Sequence, residues 1–194
     1  MMLELPRHIF FTGAPGSRWS GIAQTLEQMP GMNITDRTKE RTYTHHSYNG
    51  HLGAYFGKEM EFNADPKIIE TAYEDPKAGC MLIKSHQWCD WVGRIRILYP
   101  DVWVILVYRP DLACHTWWHE AGGFEIGYPN YSEYKNSANM LYAIQEINSK
   151  LLGIGLTHGS KWEHFTPTWL EENFDCTDNL IKEVFPDILV TIIK

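Results

Sequence analysis

Three short runs of the chain are apolar at nearly every position: His8 to Thr12, Cys80 to Ser85 (CMLIKS) and Val102 to Tyr108 (VWVILVY). Continuous apolar runs of this length predict strands covered on both faces, as in a parallel sheet. Between them the apolar positions recur at helical spacing. Helices are expected over Ser17 to Met29, Pro66 to Tyr73 and Gln87 to Leu98, the last carrying Trp88, Trp91, Val92 and Ile95 on one face. A helix through Leu112 to Glu120 stops at Gly122 and Gly123. A longer one, Ser132 to Leu152, is expected to end at Gly153 and Gly155. Lys161 to Phe165 reads as a further strand, and Pro167 to Phe174 and Asp178 to Phe185 as helices before the apolar tail ILVTII. Strands alternating with helices predict an α/β fold: a three-layer, open parallel sheet flanked by helices, in a single domain spanning 1–194.

One segment has neither period. Thr35 to Ala64 is rich in Thr, His, Tyr, Asn and Gly, and is about twice as long as structureless loops usually are within compact domains. It is expected to be an insertion on the substrate side, with Tyr43, His45, Tyr48, Tyr55 and Phe56 facing an acceptor. His45, His46 and His51 have no standard metal-ligand spacing, so no metal is expected there.

Composition narrows the class. A chain of 194 residues buries roughly 70% of its unfolded surface and needs no disulfide or metal staple. The four cysteines (80, 89, 114 and 176) form no C-x-x-C pair, which argues for reduced thiols and a cytoplasmic location. No run approaches ~18 apolar residues, and the start MMLELPRHIFF is unlike a signal peptide, so no membrane partner is expected. A net charge of -7 without a basic block disfavours nucleic acid as a partner. Aromatic residues make up 13%, enough for either a thick core or a pocket for an organic ligand. The oligomeric state is not encoded in any of these features.

Three stretches carry candidate chemistry. The first is the turn Gly13-Ala14-Pro15-Gly16-Ser17-Arg18-Trp19-Ser20, between the first strand and the first helix. Backbone N–H groups at such a helix start favour an anion, although the Lys of the G-x-x-x-x-G-K-[ST] phosphate loop is missing. The simpler alternative is an ordinary Pro-Gly turn with Ser17 as N-cap. The second is Lys84-Ser85-His86 at the carboxyl end of its strand, where open α/β sheets bind ligands and an imidazole can take a proton near neutral pH. The third is Arg109 with Thr116 in the following helix, either a second anion site or an Arg capping a neighbouring carboxylate.

Taken in order, these stretches resemble the sulfotransferases that use 3′-phosphoadenosine 5′-phosphosulfate (PAPS), a family with a P-loop NTPase-like fold. GAPGSRW stands where that family has P-K-S-G-T-T-W, Lys84-Ser85-His86 where cytosolic members have K-T-H, and Tyr108-Arg109-Pro110-Asp111 at the strand end that holds the 3′-phosphate. The resemblance implies a metal-independent transfer of sulfuryl from PAPS to a hydroxyl or amine of a small organic or glycan acceptor. His86 is then the base, Lys84 and Arg18 stabilise developing charge, and residues 13–20, Arg109 and Thr116 bind the nucleotide. The family places Lys or Arg at the position of Ala14, so Arg18 is the expected substitute. The alternatives are a P-loop kinase and a nucleotide-binding module without transfer activity.

Overall fold

The computed structural model describes residues 4–36, 65–123 and 135–194. In chain order the elements are β1 (His8–Gly13), α1 (Trp19–Leu26), β2 (Met32–Asn33), α2 (Pro66–Thr71) and β3 (Cys80–Lys84). A 3₁₀ turn (His86–Asp90), α3 (Val92–Leu98), β4 (Trp103–Tyr108) and α4 (Asp111–Glu120) follow. The chain then forms α5 (Ser137–Thr157), β5 (Glu163–His164), α6 (Pro167–Phe174) and β6 (Leu189–Ile193).

The described strands make one sheet in the order β2-β3-β1-β4-β6-β5. β1 pairs in parallel with β3 and β4, and β2 in parallel with β3. The expectation of a parallel sheet needs correction at one edge, because β6 runs antiparallel to both β4 and β5. The tail ILVTII is therefore a sheet strand, and the sheet is mixed.

Strand alternation divides the core. Ile9, Phe11, Leu82, Ile105 and Val107 point to one face, where they pack with Trp19, Ile22 and Leu26 of α1 and with Trp169 and Leu170 of α6. Phe10, Met81, Ile83, Val104 and Leu106 point to the other, against Trp88, Ile95 of α3 and Leu151 of α5. A smaller cluster of Ala14, Cys114, Trp118, Met140 and Ile144 joins the loop after β1 to α4 and α5. Burial pushes the thiols of Cys80, Cys89 and Cys114 up to about 12, so these cysteines stay protonated at neutral pH. No described helix is long and apolar enough to cross a membrane.

α1 is shorter at both ends than the expected Ser17 to Met29, and three further expectations are corrected. The stretch 87–98 divides at Trp91 into the 3₁₀ turn and α3, because Ser85 Oγ accepts from Gln87 N and Trp88 Nε1 donates to Ile83 O, anchoring the turn beneath the sheet. α5 continues through Gly153 and Gly155 to Thr157. Its buried stripe Met140, Ile144, Asn148, Leu151, Gly155 keeps helical spacing, and a side chain built at Gly155 would lie 2.6 Å from Trp162 Nε1. The bare glycine thus admits a ring, and burial outweighs a helix-propensity cost of about 1 kcal/mol. Residues 178–185 are irregular rather than helical. Ile181 is buried and Phe185 stacks on Arg18, so this stretch serves as a strap across α1.

Candidate functional site

The glycine turn leaves β1 at Gly13 and enters α1 at Trp19, with Arg18 as the N-cap residue. Ser17 N donates to Ala14 O at 3.1 Å, closing the turn. Gly16 has φ +75, and a Cβ there would overlap the Cys114 carbonyl oxygen of α4, so only glycine fits. Arg18 is also left-handed, at φ 62, a conformation costing roughly 1–2 kcal/mol for a residue with a Cβ. Its guanidinium lies between two rings, 3.9 Å from the centroid of Trp117 and 3.7 Å from that of Phe185. This double cation–π stack fixes the guanidinium against the rings of Trp117 and Phe185, which line the same cavity as Arg18.

His86 opens the 3₁₀ turn directly after β3. It is 4% exposed, its ring tilts over Trp19 at 4.2 Å, and Nδ1 lies 2.5 Å from Gly13 O. A carbonyl oxygen only accepts, so Nδ1 carries the proton and, in the neutral ring, Nε2 holds the lone pair. Thr12 Oγ1 and Cys89 Sγ both donate to His86 O, fixing the backbone as well.

Together these residues bound a cavity of about 370 Å³, which lies within the size range of small-molecule sites. Pro15, Gly16, Arg18, Trp19, Ser20 and His86 line it. Six expected site residues do not. Ala14 is fully buried in the apolar cluster with Cys114 and Trp118, an environment unfavourable to a cation. Ser17 is fully buried, its Oγ without a hydrogen-bond partner among the described residues. Gly13 contributes its carbonyl to His86 rather than a wall.

The other three are engaged elsewhere or point away. Lys84 shares the face of Cys80 and Leu82, which turns it under α1, and its Nζ lies 2.5 Å from Glu27 Oε1 with both side chains buried. Arg109 Nε donates to Asp187 Oδ2 at 2.7 Å and its NH1 to Gly16 O at 3.4 Å, so it ties the glycine turn to the strap as a carboxylate-capping Arg. Thr116 is an exposed residue of α4. The acceptor-side residues Tyr43, His45, Tyr48, Tyr55 and Phe56 lie outside the described residues, as do His46 and His51.

Trp117, Lys182 and Phe185 also line the cavity and were not singled out in the sequence. The aromatic excess is a signal for Trp117 and Phe185 that does not distinguish wall from core, and nothing in the sequence marks Lys182. Among the described residues no group of three or more His, Cys, Asp or Glu side chains is placed to hold a metal ion. Comparison of the chain with protein-family models, curated proteins and solved structures finds no match.

Proposed function

We propose that this protein is a PAPS-dependent sulfotransferase acting on a hydroxyl or amine of a small organic or glycan acceptor. The observation that carries the reading is His86, buried at the carboxyl end of β3 with its proton held on Nδ1 by Gly13 O and its ring on the cavity wall. In that tautomer Nε2 is the basic nitrogen of the ring, the atom that would take the proton in the proposed reaction. The strand order adds support, since β1 is central and the chain leaves it and β4 beside the crevice where open α/β sheets bind ligands. The P-loop-like assignment rests on this order together with the GAPGSRW turn.

The cavity suits an anionic, partly aromatic ligand. Arg18 and Lys182 supply positive charge against one carboxylate, Glu183, while Trp117, Trp19 and Phe185 supply ring surface and the start of α1 supplies N–H groups without intrahelical acceptors. In the proposed reaction His86 Nε2 takes the acceptor's proton as the acceptor oxygen or nitrogen bonds to sulfur. The bond from sulfur to the phosphate oxygen breaks, and its electron pair leaves with 3′-phosphoadenosine 5′-phosphate (PAP). Arg18 balances the charge that builds on that phosphate. Lys84, paired with Glu27, supports the fold instead of the reaction.

A second reading has its own observation. Ala14 sits in an apolar cluster and Lys84 in an ion pair, leaving fewer cations at the turn than the sulfotransferase family uses, which favours a nucleotide-binding module without transfer. Calorimetry tests the common ground of both. PAP is expected to bind more tightly than magnesium-ATP, and Arg18→Ala to weaken PAP at least ~10-fold, the worth of one charge-assisted hydrogen bond. Preference for magnesium-ATP would instead support a kinase.

A further inference from the structure

On the flank of α4 away from the cavity wall, His115 and His119 stand one helical turn apart, in the sequence His-Thr-Trp-Trp-His. Both rings turn toward the first residue of α5. His115 Nε2 lies 2.9 Å from Ser137 Oγ and 3.1 Å from Ser137 O, and His119 Nε2 lies 3.0 Å from the same Oγ. Two imidazole nitrogens from one helix thus converge on a single oxygen, with their ring centroids 4.7 Å apart. With a neutral ring, His115 Nε2–H donates to Ser137 O, because the carbonyl only accepts, while Ser137 Oγ can accept from either imidazole or donate to His119 Nε2.

We propose that this cluster is a binding site for a first-row transition metal ion such as zinc or nickel. Histidines four apart on a helix present both nitrogens to one side, the spacing used by helical zinc sites, and imidazole is the ligand these ions prefer. A small shift of the hydroxyl leaves the point between the rings to the ion, at about 2.1 Å from each nitrogen. Each neutral ring that carries its proton on Nε2, as His115 does, moves it to Nδ1, so both coordinating nitrogens present lone pairs and no net proton is released. Ser137 Oγ or water completes the coordination. The motif lacks the Glu that serves as base in helical zinc peptidases, and with two imidazoles the remaining coordination positions fall to Ser137 Oγ and water. The ion would join α4 to the start of α5 and hold the stretch that carries Trp117 and Trp118, two walls of the cavity.

The test is titration of the metal-free chain with zinc chloride and nickel chloride in a calorimeter. One-to-one binding is expected, weakened at least ~10-fold by His115→Ala or His119→Ala, since even outer residues of metal sites are worth 10–100-fold, and little changed by Ser137→Ala. Binding that instead disappears in a His45→Ala/His46→Ala/His51→Ala variant, or no binding at all, overturns the proposal. A second readout avoids any folding defect of the variants: zinc should protect His115 and His119 of the unaltered chain from diethylpyrocarbonate, read by mass spectrometry. Equal modification with and without zinc overturns the proposal as well.

Discussion

At the scale of single residues, the site is set by which neighbour each side chain can reach. Lys84 shows this most clearly. The motif Lys-Ser-His suggests that Lys84 and His86 act together, yet strand alternation sends Lys84 under α1 to Glu27, while the 3₁₀ turn carries His86 to Gly13 O. Breaking a buried ion pair by removing one partner leaves an uncompensated charge. Lys84→Met should therefore destabilise the fold by about 3–5 kcal/mol in urea unfolding, and adding Glu27→Leu should restore most of the loss. An unchanged midpoint for Lys84→Met would contradict the pairing. His8 gives a pH prediction. Burial, with Arg7 adding to it, lowers its pKa from 6.5 to about 4, so the folded state resists a proton that the unfolded state accepts. Its contribution to stability is present above about pH 6.5 and is lost as the pH falls toward 4. Its ring meets Tyr99 edge-on at 4.7 Å, so His8→Phe keeps the packing. The variant should lose less stability than the parent between pH 7 and pH 5 in urea unfolding, and equal losses would count against the assignment.

At the scale of elements, the strands and their neighbouring helices were legible because their apolar runs are long relative to the errors at their ends. β1, β3 and β4 start or end within a residue of the expected positions. The misjudged elements are those where a tertiary contact overrides a local signal. Glycine usually ends a helix, but α5 passes through two of them, and their surroundings differ. A methyl group at Gly155 would press on the Trp162 ring, whereas one at Gly153 meets nothing within 4 Å. Gly153→Ala should therefore raise stability by about 0.5–1 kcal/mol through reduced backbone freedom. Gly155→Ala should lower it by about 1–3 kcal/mol through overpacking. Thermal melts distinguish the two, and a gain in both would show that Trp162 yields easily. Residues 178–185 are irregular although Ile181 is buried in the core cluster on the α1 face of the sheet and Phe185 packs against it, and both also line the cavity.

At the scale of the whole molecule, the chain order of the motifs anticipated the crevice but not its composition. Gly16, Arg18 and His86 converge because β1 and β3 are adjacent and parallel, which a βαβ reading of the sequence supplies. The antiparallel β6 was hidden, since an apolar tail has no periodic feature that states direction. Its placement brings Asp187 to Arg109 and Phe185 to Arg18, so the strap before it closes the cavity from a distance of many residues along the chain. Arg109 accordingly acts on the site through the turn and the strap. The central claim is transfer of sulfuryl from PAPS with His86 as base. Its most direct test is incubation of the parent chain and of His86→Ala with sulfur-labelled PAPS and a panel of phenols, alcohols, amines and glycans. The account predicts labelled product with the parent chain and a rate lower by ~10²-fold or more for His86→Ala, with PAP affinity intact. Tight PAP binding with no labelled acceptor, or full turnover by His86→Ala, would contradict it.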